Sequence, residues 1–482
     1  MQPLSLNEFR LLAKKTKKIA FFKEIPAGNL TPASIYQKLS DYYGAHGVMM
    51  ENLATQQSSR YSSICFEAIA SLSIKNGDNT DPLNALRNLQ LEYTYSTREE
   101  VAERITSAMG LIGYDIVRYF ENLPDQHVAD PSLPILLFHF YAVSLSFDHD
   151  KQSLLVSTLI DVSDQPDEDY QKAEDKIARI IQLIAKEDQK TVFAAPTKAA
   201  LTSVEVDISD DDFMHKVEKA KEYIIAGDAF QIVLSRCFKR TYSVTPLEIY
   251  QTLCRISPAP FMFYFPIEAG IILGASPERM VSVRKGEVTV NPIAGTRKRC
   301  DDATDNKIAE DLLSDKKELA EHMMLVDLAR NDVGSVSKPG SVVLKELLNV
   351  KHFSHVSHIT STVSGTLQHT YDAFDAFRAT FPAGTLTGAP KIRAMEIIDE
   401  LETSRRGFYG GAICRIDALG NFDSCISIRM AVLKDGIATI RVGAGIVYDS
   451  NPALEARETQ QKAQSMLHAI AAAHGDHYDT HH

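Results

Sequence analysis

The chain has no tryptophan at all among its 482 residues, although several would be expected by chance. It also lacks paired cysteine motifs: Cys65, Cys237, Cys254, Cys300, Cys414 and Cys425 are scattered without CxxC spacing. That pattern excludes a disulfide framework and a structural zinc site, and it fits a reducing cytoplasm. No apolar run is long enough for a bilayer. The longest, Leu133 to Phe147, contains His139 and falls short of the roughly 20 residues a membrane helix needs, so no membrane contact is expected. The N-terminal stretch MQPLSLNEFRLLAKKTKKIAFF has basic residues but neither an apolar core nor a small-residue cleavage site, so no export signal is expected. Positive charge is also in short supply. Asp and Glu outnumber Lys and Arg 63 to 51, for a formal net charge of −12, which excludes a nucleic acid as the main partner. A small anionic substrate remains compatible, because a local cluster of arginines and backbone amides binds carboxylate inside an acidic protein.

What is present is the make-up of a folded protein. Hydrophobic content of 44% and charged content of 24% are ordinary for globular chains, and the length implies about two or three domain-sized units or one large one. No internal repeat or low-complexity tract interrupts it. One segment, Lys186 to Phe213, loses sustained periodicity and reads as a join between two halves. Before it, strand-like runs (VMMENL, RYSSICFEAIASLSI, SLLVSTLIDV) alternate with helical patterns such as Arg98 to Met109. After it, Asp211 to Ala226 reads as a helix closed by Gly227, and strands are expected in FQIVLSR, FMFYF, AGIILGA and EVTVNPIAG. Helices follow at Lys307 to Arg330 and Pro390 to Leu401, then strands in GFYGGAICRID, CISIRMAVL and IATIRVGAGIVY. Because strands and helices do not alternate cleanly, the expected class is α+β with large mixed or antiparallel sheets. The polar tail HGDHYDTHH is expected to fray.

Several residues carry candidate chemistry. In KKELAEHMMLVDLARND, Glu318 and Glu321 share one helix face, and Glu455 and Glu458 repeat that spacing after Pro452. Two such pairs facing each other suit Mg²⁺, although an ExxE pair is more often a solvated face and first-turn acids also complement a helix dipole. Glycine-rich PIAGTRKR, RRGFYGGA and RVGAGIVY allow close backbone approach to an anion, or are ordinary turns. GTLTGAPKIRA could aim a helix start at an anion. Arg429, within apolar CISIRMAVL, needs a partner of opposite charge. For proton transfer, His358 recurs at three-residue spacing with His352 and His355, and Glu278 follows an apolar strand through a Ser-Pro turn; both also have structural readings.

Taken together, PIAGTRKR, ELAEHMMLVDLARNDVG, FPAGTLTGAPKIRAMEIIDELE, RRGFYGGAICRID and VGAGIVYDSNPALEARET resemble the chorismate-utilising enzymes, in the same order and at similar separations. The resemblance is strong from about Asp211 to Ile470 and weaker before it, at RYSSI. It implies a sandwich of two packed sheets with surrounding helices. Residues 1–200 would be a regulatory or structural half, 205–474 the chorismate-binding catalytic half, and 475–482 a disordered tail. It also implies Mg²⁺ held by Glu321 and Glu458, with Glu318 and Glu455 assisting through water, and chorismate held by Gly295, Thr296, Tyr409, Arg429, Gly443, Ala444 and Gly445.

Two positions separate the branches of that family. Ala294 stands where aminodeoxychorismate synthases use a nucleophilic lysine, and Gln231 stands where isochorismate and salicylate synthases use a water-activating lysine. Lacking both, the chain resembles the branch in which ammonia adds at C2 of chorismate, the C4 hydroxyl leaves, and loss of pyruvate yields anthranilate. Glu278 would protonate the leaving hydroxyl and His358 would serve the second step. No GxCxG segment is present for a glutaminase, so ammonia is expected from a separate glutamine amidotransferase subunit in a hetero-oligomer. An enzyme needed when tryptophan is scarce is easier to make without that residue. Feedback by tryptophan is expected through MMEN (Met49 to Asn52) and Pro260-Phe261-Met262, with Asn52 in place of the family's usual serine and Ser58, Ser59 or Ser62 as substitutes. The alternatives are an aminodeoxychorismate or aminodeoxyisochorismate synthase and, in another class, a non-catalytic aromatic amino-acid sensor.

Overall fold

The computed structural model describes residues 2–53, 60–186, 203–299, 305–352 and 356–475. Its frame is a 20-stranded hydrogen-bonded sheet that divides into two arms at the strand Leu136–Asp148. That strand lies against Tyr61–Ile74 on one side; on the other it pairs first with Thr106–Ile112 and then with Ser153–Asp161. One arm runs from Tyr61–Ile74 through Val48–Glu51, Phe261–Ile267, Gly270–Ser276, Met430–Lys434 and Ile437–Ile446 to Gln231–Thr241. The other runs from Thr106–Ile112 through Ala412–Asp417, Phe422–Ile426, Arg279–Arg284 and Glu287–Val290 to Val356–Thr366. All of these ladders are antiparallel. The arms pack face to face, since one apolar cluster joins Val48, Phe263 and Ile272 of the first to Leu111, Ile413 and Cys425 of the second. The expected antiparallel sandwich with surrounding helices is therefore present.

Strands from both sides of the expected join interleave. Val48–Glu51 pairs with Phe261–Ile267, and Thr106–Ile112 pairs with Ala412–Asp417. Within the join itself, residues 187–202 lie outside the described residues. Beyond them the helix Asp210–Ala226 starts on the Ser209 side chain and stops at Gly227, whose φ of 88° is the left-handed turn that glycine makes without strain. Of the polar tail, residues 476–482 lie outside the described residues, whereas His474 is buried and its ring nitrogen accepts the Ser243 N–H.

Four expected elements differ from what forms. Arg98 to Met109 is not one helix: only Glu99–Ala102 is helical, and Thr106–Ile112 is a strand buried along its whole length. An apolar run covered on both faces has no polar side to mark its period, so burial overrides the local helical pattern. Lys307 to Arg330 is two helices, Asp305–Ser314 and Lys316–Val336, because the Asp315 side chain accepts the N–H groups of Lys317 and Glu318 and starts a new helix. EVTVNPIAG breaks into Glu287–Val290 and Ile293–Lys298 around Pro292, which has no N–H for a ladder. CISIRMAVL breaks between Phe422–Ile426 and Met430–Lys434, and Arg429 sits in that gap with a φ of 52°. Among the described residues no helix is long and apolar enough to cross a membrane.

Candidate active site

A cavity of about 680 Å³ opens between the helices Lys316–Val336 and Pro452–Ala473 and the adjoining ends of the sheet. Helical spacing puts Glu318 and Glu321 on one face of the first helix and Glu455 and Glu458 on one face of the second. The tertiary fold turns both faces inward, so all four carboxylates line the cavity. Burial raises the Glu321 carboxyl, and repulsion from Glu318 and Glu458 adds to it. Burial likewise raises Glu455. Like charges drawn together in this way are a fit for a hard divalent cation. Among the described residues no three His, Cys, Asp or Glu donors converge tightly enough to cage an ion. The arrangement matches Mg²⁺, which takes one or two carboxylates and fills its remaining positions with water and substrate oxygens.

The opposite wall suits an anion. Arg429 reaches the cavity from its strand break; burial pulls its pKa down, and no carboxylate forms an ion pair with it among the described residues. Burial pushes the neighbouring Tyr409 phenol up to about 12, so it stays a neutral donor. Gly443 has to be glycine here: a Cβ on it would stand 2.6 Å from the Leu234 carbonyl oxygen and 2.7 Å from the Tyr409 hydroxyl. Gly295, with a φ of 68°, faces Glu318. Gln231 lines the cavity, 3% exposed, and its Oε1 has no hydrogen-bond partner among the described residues. An amide oxygen left unpaired in such a place is a ready acceptor for a bound donor.

Two groups can move protons. Burial pushes Glu278 up to about 7, even though the Thr385 hydroxyl donates to its Oε1 at 3.0 Å and Lys462 lies near enough to lower it. His358 lies 2.9 Å through Nδ1 from the Gly295 carbonyl oxygen, which can only accept. The neutral ring therefore carries its proton on Nδ1 and its lone pair on Nε2. Burial lowers its pKa, and Arg429 adds to the effect.

Of the residues singled out in the sequence, Glu278, Gln231, His358, Gly295, Tyr409, Arg429, Gly443, Gly445 and the four glutamates meet at this cavity. Ala444 does not, because along a strand its methyl points the other way, into a core with Ile232, Leu234 and Ile446. Thr296 pairs with His358 across the ladder, and its side chain lies outside what is described. Lys462 was missed. Its ammonium contacts Glu458 at 2.6 Å and the Gly443 carbonyl oxygen at 2.8 Å. The signal was available, since Glu455, Glu458 and Lys462 follow one helical face at i, i+3 and i+7. Thr385 is a further cavity residue, within the GTLTGAPKIRA segment that offers a helix start to an anion.

The segments expected to bind tryptophan lie elsewhere, and they lie together. Glu51 pairs with Met262 in the ladder between Val48–Glu51 and Phe261–Ile267, with Asn52 and Pro260 just beyond the strand ends. The Asn52 N–H donates to the Ser62 hydroxyl; Ser58 and Ser59 lie outside the described residues. Phe261 and Met262 point to opposite sides of the sheet.

The family model described as chorismate binding enzyme matches residues 46–468. Anthranilate synthase component 1 of Acetivibrio thermocellus is 38% identical, over 97% of this chain and 98% of its own length. The protein of the same name from Aquifex aeolicus is 35% identical over 98% of each. Anthranilate synthase component I from Streptococcus pneumoniae TIGR4 superposes with a TM-score of 0.76 at 33% identity, covering 92% of this chain and 98% of its own.

Proposed function

Because the chain belongs to the chorismate-binding enzyme family, we propose that its cavity converts chorismate and ammonia to anthranilate and pyruvate. One observation carries the reading: a guanidinium with no carboxylate partner among the described residues, Arg429, faces two pairs of glutamates across one cavity. That is the arrangement required by a dianion whose two carboxylates are held differently. Glu321 and Glu458 would hold Mg²⁺, with Glu318 and Glu455 acting through water, and the ion when bound neutralises the ring carboxylate. Arg429 and Tyr409 take the enolpyruvyl carboxylate, and Gly443 and Gly445 leave room for it.

Glu278, still a neutral acid near pH 7, donates its proton to the departing C4 hydroxyl while ammonia adds at C2. His358, with its lone pair on Nε2, is placed for the proton transfer that accompanies loss of pyruvate. The branch follows from two side chains in the cavity wall. Ala294 offers no nucleophile and Gln231 no base to activate water, which leaves ammonia as the attacking group. The relatives' label, component 1, supports a second component, which we take to be a glutamine amidotransferase supplying ammonia in a hetero-oligomer. Tryptophan as inhibitor is supported by the pairing of the Met49 to Asn52 segment with the Pro260-Phe261-Met262 strand.

The test is to incubate the purified chain with chorismate and ammonium, with Mg²⁺ or with EDTA. Fluorescent anthranilate and equimolar pyruvate are expected only with the metal. An aminated product that keeps its enolpyruvyl group, or turnover in EDTA, overturns the reading.

A further inference from the structure

Glu278 is held in place by its backbone. Its N–H donates to the Ser276 hydroxyl, and its carbonyl oxygen accepts the N–H of Ile426, which ties the residue between the strands Gly270–Ser276 and Phe422–Ile426. That anchoring sets where the side chain starts and leaves open which oxygen carries the proton. A neutral carboxylic acid has two oxygens and one hydrogen, and it transfers that hydrogen efficiently only if it sits on the oxygen facing the leaving group.

The surroundings settle this through one hydrogen bond. Thr385, in the short turn Gly384–Thr387, donates its hydroxyl to Oε1 at 3.0 Å. Among the described residues that hydroxyl makes no other hydrogen bond. Oε1 is thereby occupied as an acceptor, and Oε2 makes no hydrogen bond to any described residue. Both Glu278 and Thr385 line the cavity. Facing them are Lys462 from the Pro452–Ala473 helix, Arg429 from its strand break, His358 from the Val356–Thr366 strand and the carboxylates of the two ExxE pairs. Of these, Lys462 is the one whose charge acts on Glu278.

We propose that Thr385 is a positioning residue that confines the acidic proton of Glu278 to Oε2, the oxygen turned toward the leaving hydroxyl. The inference rests on the acid role given to Glu278 above. In the step it serves, the C4–O bond breaks and the oxygen leaves as water with the Glu278 proton. The nitrogen–carbon bond forms at C2, and a proton shed by the new ammonium returns to the carboxylate. Thr385 touches none of the reacting atoms. It acts by donating to one oxygen, which also favours the carboxylate over the acid and so restrains the rise caused by burial.

Those two effects separate experimentally from a packing role. In Thr385→Val, nearly the same size without the hydroxyl, the descending alkaline limb of the kcat profile should move up by roughly one pH unit. The plateau below it should fall by about twofold as the proton divides between the two oxygens. KM for chorismate should stay within about twofold. Thr385→Ser should restore both limb and plateau, and a matched melting temperature for the serine variant guards against a folding artefact in the valine one. An unmoved alkaline limb in Thr385→Val, or failure of serine to rescue it, overturns the proposal. Glu278→Gln is measured alongside. Wild-type turnover in that variant would remove the acid role itself, whereas an inactive Glu278→Gln with an unmoved limb in Thr385→Val would remove only the positioning role.

Discussion

Two cavities of this molecule each hold a glutamate, a histidine and an arginine. The site cavity has Glu278, His358 and Arg429; a larger one of about 980 Å³, between the start of the Pro32–Tyr43 helix and the Pro246–Ile256 helix, has Glu51, His149 and Arg255. Burial pushes both glutamates up to about 7 and lowers both histidines. Each glutamate has one hydroxyl donor, Tyr250 for Glu51 and Thr385 for Glu278. The difference is in the wiring. In the larger cavity the arginine donates to Thr252 and the histidine contacts the Ser62 hydroxyl, so polar groups satisfy one another. In the site cavity, among the described residues, Arg429 has no carboxylate partner and the Gln231 oxygen is unpaired; four further carboxylates crowd in, of which Glu318 and Glu458 are met by Arg297 and Lys462, and glycines remove the side chains that would fill the space. Neither volume nor a raised pKa marks function here. Unmet demand for a ligand does.

That contrast breaks first at the two acids. Glu278→Gln should lower kcat by about 10³-fold at pH 7, the scale of a lost general acid. Glu51→Gln should leave turnover without tryptophan within about twofold. A similar collapse in both would mean that the two cavities work as one.

The second difference is Arg429. Removing a cation that waits for an anion, as in Arg429→Met, should raise KM for chorismate by on the order of 10²-fold. Because its burial is uncompensated in the free protein, the same change should raise the melting temperature without substrate. A lower melting temperature would show that Arg429 is a structural partner after all.

His358 and His149 sharpen the comparison next. His358→Met should let amination proceed and stall before aromatisation, releasing a non-aromatic amino acid detectable by mass; His149→Met should give the normal product. Normal anthranilate output from His358→Met would reject its role.

The smallest effect concerns stability and pH. The Glu51 carboxyl titrates near 7 in the fold and near its ordinary 4.5 when unfolded. Between those values the native state holds a proton that the unfolded state has lost, so this group's contribution to stability is greatest below pH 4.5, falls as pH rises toward 7, and levels off above. Glu51→Gln removes that dependence and should add about 3 kcal/mol above pH 7, with no gain below pH 4.5. Parallel wild-type and variant denaturation curves across pH 4–8 would show that burial is not what shifts this group.

Much of the site was legible because its parts sit at fixed spacings on single elements. Glu318 with Glu321, and Glu455 with Glu458, share helix faces whatever the rest of the chain does, and the run of motifs carried the family resemblance. Lys462 stands one turn beyond the second pair on the same helix face. Strand alternation turns the Ala444 methyl away from the side shared by Gly443 and Gly445. Thr385 could not be found by spacing, since its partner Glu278 is 107 positions away.

Sequence alone determined which segments become strands or helices where one face is apolar, which residue types carry charge, and that no lysine stands at the two positions separating the family's branches. Local spacing and side-chain chemistry act within a few residues and need no fold. Only the tertiary structure decided that the two glutamate faces look at each other and that Arg429 sits in a strand break rather than a strand. It likewise decided that Thr106–Ile112 extends instead of coiling, and which of two similar cavities is left with unpaired charge. Those outcomes depend on burial and long-range pairing, which a carboxylate or guanidinium feels only after distant strands and helices have closed around it.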